Sequence, residues 1–161
     1  MANPITKPFW QAIGLGTLAG LRSMSAPAVT SQILSHHQSK ALEGSPLKFI
    51  QSEKVANALT LLALTEIVGD KLPGAPNRIK APVLATRCLS GALAGASIYK
   101  ASGGNAYLGA LLGGSAAVLS SFGAFYLRKY TVKSTHLVDP IIGSIEDALV
   151  IGSGYSLAKA A

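Results

Sequence analysis

Charge of either sign is scarce in this sequence, and acidic charge is the scarcer. Seven Asp and Glu stand against 14 Lys and Arg among 161 residues, and charged residues total 13%, about half of the 25% usual in soluble domains. With 49% hydrophobic residues and a mean hydropathy of +0.40, the chain needs a solvent other than water, which argues against a soluble enzyme. Cysteine is nearly absent: Cys88 lies alone in an apolar run, which rules out a disulfide within the chain and leaves a small buried hydrophobe. No basic stripe with interleaved aromatics is present, so no nucleic-acid partner is expected; the net charge of +7 is dispersed in loops, as suits anionic lipid headgroups. His36, His37 and His136 lie outside the apolar runs without metal-ligand spacing, so neither metal nor cofactor is expected. There is no Ser-His-Asp order or nucleophile elbow. No small-residue cleavage site follows the first apolar run, so that run is expected to stay in the mature protein.

What is abundant is small and apolar. Seventeen glycines, with alanine and serine inside apolar stretches, suit helices that associate in lipid by close backbone approach. Gly14-Leu15-Gly16 and Gly113-Gly114 lack a strand-and-helix dinucleotide context and read as helix packing. At about 20 residues per span, the chain is expected to be all-α, a single polytopic transmembrane bundle over residues 1–161 with about five spans.

The first apolar segment, Pro8 to Leu34, contains Arg22 and Pro27 and is expected to break near them, because proline removes a backbone hydrogen bond. Residues 35–54 read as a loop with a short interfacial helix. A second span covers Val55 to Gly69, followed by the turn-rich Pro73-Gly74-Ala75-Pro76-Asn77. The third runs from Ala81 to Tyr99 with Arg87 inside. From Ala101 to Leu127 come 27 residues without charge, closing with aromatics before Arg128 and Lys129, as at a membrane interface. The last starts near Leu137 and holds Glu146-Asp147. Five spans put seven Lys and Arg on one side and five on the other, favouring a cytoplasmic N-terminus; a re-entrant first segment would cancel that bias. Gly20-Leu21-Arg22-Ser23-Met24-Ser25-Ala26 matches Ala85-Thr86-Arg87-Cys88-Leu89-Ser90-Gly91 in pattern, either by parallel duplication or by chance.

The chemistry must come from ionisable residues inside these runs. An unpaired charge at the bilayer centre costs roughly 2.5–3.5 kcal/mol on insertion scales, so Arg22, Arg87, Glu146 and Asp147 must pair, protonate or face water. The arginine fork suits a carboxylate or an anionic ligand. Glu66 and Asp70, four residues apart, share a helix face. Two readings are open. In one, Arg22, Glu66, Asp70, Arg87, Glu146 and Asp147 line a pathway for an ion or small solute in a transporter or channel-like homo-oligomer. In the other, the charges are a structural network in a membrane scaffold or lipid-binding protein. An intramembrane enzyme with carboxylates around a metal ranks third.

With Gly20-Leu21-Arg22, Glu66-x-x-x-Asp70-Lys71-x-Pro73 and the Glu146-Asp147 helix in view, the chain resembles the bacterial integral-membrane family filed as domain of unknown function 4126, over nearly its whole length. The resemblance implies a membrane location, in bacteria the inner membrane, and places Arg22, Glu66, Asp70, Lys71 and Pro73 at motif positions. It implies no activity.

Overall fold

A computed structural model describes residues 7–69, 80–135 and 139–159, with side chains described outside 132–146. Every regular element among them is helical: α1 Pro8–Leu21, α2 Ser25–His36, α3 Glu53–Gly69, α4 Ala81–Ala101, α5 Ala106–Thr135 and α6 Asp139–Lys159, with two short 3-10 turns, Lys40–Leu42 and Pro46–Gln51, between α2 and α3. These bounds follow the apolar runs closely, and the 35–54 segment holds the two 3-10 turns.

Local chemistry sets the ends. Prolines occupy the first turns of α1, α4 and the second 3-10 turn, where no intrahelical N–H is lost. The Ser39 and Ser45 hydroxyls accept from Ala41 and Leu47 N–H to start the 3-10 turns. Between α4 and α5 the chain reverses through Gly103, at φ 83°, a conformation glycine adopts without Cβ strain, and Asn105 Oδ1 accepts from Tyr107 N–H at 2.9 Å to begin α5.

The tightest packing joins α1, α4 and α5. Each carries glycines four apart: Gly16 and Gly20, Gly91 and Gly95, Gly109 and Gly113. A Cβ added at Gly95 would run into Gly109 backbone, one at Gly113 into Gly91, and one at Gly16 into Gly113 and Ala116. The helices therefore touch backbone to backbone, the mode that small-xxx-small spacing permits.

These contacts also fix direction. Gly16 lies level with Gly113, and Gly20 with Ala117 and Ser120, so α1 runs parallel to α5 and starts at the end of the bundle holding the α4–α5 turn. After Arg22-Ser23-Met24 the chain does not continue onward. Ser39, just beyond α2, donates its hydroxyl to Ala101 O at 2.6 Å, and Leu18 and Val29 meet the same stretch of α6 at Gly154. The first apolar segment is thus a helical hairpin: α1 goes in, α2 comes back. The break expected near Arg22 and Pro27 is there, and it is a reversal. Pro27, the third residue of α2, falls in the first turn, where its missing N–H costs nothing; the reversal precedes it at 22–24. At 1.5 Å per residue α1 and α2 are only about 21 and 18 Å long.

The outer surface is apolar. Leu61, Leu111 and Leu119 are 63%, 69% and 73% exposed, whereas Arg22, Thr30, Ser31, Arg87, Ser97, Ser121 and Asp147 are buried. Two helices, Ala81–Ala101 and Ala106–Thr131, are long and apolar enough to cross a membrane. Among the described residues helix α6 packs mainly on α1 and α2, with a groove on each side, one against α2 and α3 and one against α1.

Candidate functional site

Reversing a chain inside a helical bundle strands backbone groups: the last carbonyls of the incoming helix and the first N–H groups of the outgoing one have no intrahelical partners. At Arg22-Ser23-Met24 several groups of both sets are met, largely by other helices. Arg22 N–H closes onto Leu18 O at 2.8 Å. The Gly20 carbonyl accepts from Arg87 Nη1 at 2.7 Å, and Ser121 Oγ lies 3.0 Å from it. The Ser23 carbonyl accepts from the Ser90 hydroxyl. On the donor side, α2 has Met24 at its N-cap and no side-chain cap of its own. The Glu66 carboxylate, from α3, does that work: Oε1 accepts from Ser23 N–H at 2.9 Å and Oε2 from Met24 N–H at 2.8 Å.

The charges suit the dipoles. A helix N-terminus favours an anion and a C-terminus a cation, each by up to about 2 kcal/mol in partly buried geometry. Here Glu66 sits at the start of α2 and Arg87 at the end of α1. Arg22 itself turns to α6: Nε donates to Asp147 Oδ1 at 2.7 Å, Nη2 forms an ion pair with the same oxygen, and Nη1 donates to Glu66 O at 3.2 Å. Arg22 and Arg87 are each 3% exposed and Asp147 6%. One guanidinium thus ties the hairpin tip to α3 and α6 together.

The structure therefore gathers Arg22, Glu66, Arg87 and Asp147 from four segments around one turn. Arg22 pairs with Asp147, one of the outcomes the burial argument left open. Glu66 lies near the end of α3, where the sequence placed it, and from there binds the backbone of the tip. The Glu146 side chain, Asp70, Lys71 and Pro73 lie outside the described residues. Two contributors went unrecognised as site residues: Ser90, whose position in the Arg87 segment was the available signal, and Ser121, for which a serine within the uncharged run was the sole hint. The two similar seven-residue segments lie against each other, Arg87 on Gly20 and Ser90 on Ser23. Among the described residues no three His, Cys, Asp or Glu side chains form a metal-binding group.

No curated protein and no solved structure matches the chain. The family model described as "domain of unknown function (DUF4126)" matches residues 10–159, so that with its helical hairpin, Glu66 cap and buried Arg22 this chain belongs to that family.

Proposed function

We propose that the protein is a multi-pass membrane protein that moves a small ion or solute past the tip of the α1–α2 hairpin. Four helices, α3 to α6, cross the bilayer in this reading, and the hairpin is re-entrant. The lengths support it: α1 and α2 are each shorter than a hydrocarbon core of about 30 Å. With both ends of the hairpin on one side, Lys7 joins Lys40, Lys48, Lys54, Lys100 and Lys159, and six Lys or Arg fall in the connections at the other end. The charge bias of five spans vanishes, and with it any preference for orientation.

The observation that carries the transport reading is non-helical backbone held deep in the bundle by ionisable side chains. Irregular backbone at membrane depth is tolerated where protein buries it or where it borders a wet cavity, and transporters use paired half-helix ends as binding sites. Asp147 supports it further, because its helix, α6, has grooves on both sides. In this mechanism Arg22–Asp147 is the contact that opens, and a passing anion competes for Arg22 or a cation for Asp147. The scaffold reading is favoured by a different observation: each of the four charged groups already binds protein.

Purified protein in liposomes separates the two. Proton flux is followed with an entrapped pH dye under an imposed potassium gradient, and chloride flux with an entrapped halide indicator. Transport predicts flux in wild type that falls at least tenfold in Asp147→Asn. No flux of either probe beyond empty liposomes, together with a lowered melting temperature in Asp147→Asn, would leave the scaffold.

A further inference from the structure

At the end of the bundle away from the hairpin tip, the two 3-10 turns border a half-open cavity of about 370 Å³, within the 300–1,000 Å³ of small-ligand sites. Its lining includes Lys40 and Lys48, the Ser39 and Ser52 positions, Gln51 and Glu43. We propose that this cavity binds the phosphate of an anionic lipid headgroup.

The cavity is built, because its walls are fixed before anything enters. Leu42 and Ile50 are fully buried, pinning each turn to the bundle. Ser31 Oγ donates to Ile50 O at 2.6 Å, Gln51 Oε1 accepts from Ser39 N–H at 2.6 Å, and Ser39 Oγ donates to Ala101 O. The segment therefore straps the ends of α2 and α4 together, and Lys40 and Lys48 project from it as exposed ammonium groups.

Position selects the ligand class. The strap lies where the apolar helix surfaces end, and beside Lys48 the Phe49 ring is 49% exposed. An aromatic ring next to a lysine is the pairing found at membrane interfaces, ring in the acyl region and ammonium among phosphates. Two ammonium groups suit a phosphodiester. Glu43 on the lining opposes a second negative charge, which favours a singly charged headgroup over phosphate dianion. The inference rests on the membrane reading and is independent of transport; a chain that stays monodisperse without detergent would fail the former without touching the cavity.

The test is lipid binding to the full chain in detergent. Phosphatidylglycerol, phosphatidylcholine and inorganic phosphate are titrated separately, reading the melting temperature and, by native mass spectrometry, the bound lipid. Wild type is expected to bind phosphatidylglycerol over phosphatidylcholine. The exposed-site variant Lys40→Gln/Lys48→Gln should lose about 30-fold in affinity, from about fivefold per lysine at an anionic surface; Glu43→Gln should gain. A response to inorganic phosphate that the double variant also loses would keep the phosphate site and assign it to soluble phosphate. Equal phosphatidylglycerol binding by wild type and double variant, both folded, would overturn the proposal.

Discussion

Two parts of this bundle are held by opposite means. Helices α1, α4 and α5 meet through glycine, with no side chain between their backbones at Gly91, Gly95, Gly109 and Gly113. Helix α6 rests on α1 and α2 through a few apolar contacts at Val150, Gly154 and Leu157 and is joined to the hairpin tip by the Arg22–Asp147 pair, and grooves run along both its sides. Dispersion packing is spread over many close-packed atoms. An ion pair is one contact that water, a proton or a ligand can replace. The glycine contacts leave no room for a shift at those positions, and in the proposed transport reading α6 is the element that would move.

Breaking the ion pair should give the largest effect. Removing one partner of a buried pair costs about 3–5 kcal/mol, so Asp147→Ala is expected to lower detergent thermostability by more than any substitution on the glycine face. Its effect should be local: a cysteine introduced at Val150, buried on α6, should react with a thiol reagent much faster in the Asp147→Ala background, while Cys88 on α4 does not change. The paired change Arg22→Met/Asp147→Leu should recover most of the stability, as replacing a buried pair with apolar groups often does. Equal acceleration at both cysteines would mean that the pair holds the whole bundle rather than α6.

How far these differences could be read from sequence depends on the kind of information involved. Helix positions were legible, since apolar runs bounded by Pro, Gly and Asn give α3, α4 and α6 within about two residues, whereas α5 starts later than the uncharged run and continues past Arg128 and Lys129 to Thr135. That Arg22 needs a partner or water was legible from the cost of burial, and Asp147 was among the candidates. The reversal was not, because hydropathy carries no direction: a kink and a turn look alike until Glu66 is seen to cap Ser23 and Met24, and Ser39 to reach Ala101. One clue was present, since residues 8–34 exceed the 20 or so a straight span needs while neither half reaches it. The glycine spacing at 16/20, 91/95 and 109/113 was visible as well, but which helix each pair faces is decided in three dimensions.

The next prediction lies inside the core. At Gly113 a Cβ meets the Gly91 carbonyl group and comes within 3.2 Å of Gly95 Cα; these are backbone atoms, which no rotamer change can move aside. Gly113→Ala must push α4 and α5 apart along their whole interface. Overpacking of this kind costs about 1–3 kcal/mol, against an intrinsic gain of up to about 1 kcal/mol for alanine in a helix. A clear fall in melting temperature is expected, with no change in labelling at Val150→Cys, the reverse of Asp147→Ala.

The smallest effect should come from the same substitution made on the other side of the comparison. Gly152 of α6 is exposed, and no atom lies within 4 Å of a Cβ built there. It borders the groove between α6 and α1. Nothing in that groove resists a methyl group, so Gly152→Ala should keep only the helix-propensity gain, about 0.5–1 kcal/mol, seen as an unchanged or slightly raised melting temperature. Gly152→Leu extends the test, because a leucine there would reach across the groove toward α1. If α6 must shift into that groove during a transport cycle, the leucine variant should stay as stable as wild type and lose flux. A stable variant with full flux would instead show that α6 does not close on α1, and would confine any movement to the opposite groove, against α2 and α3.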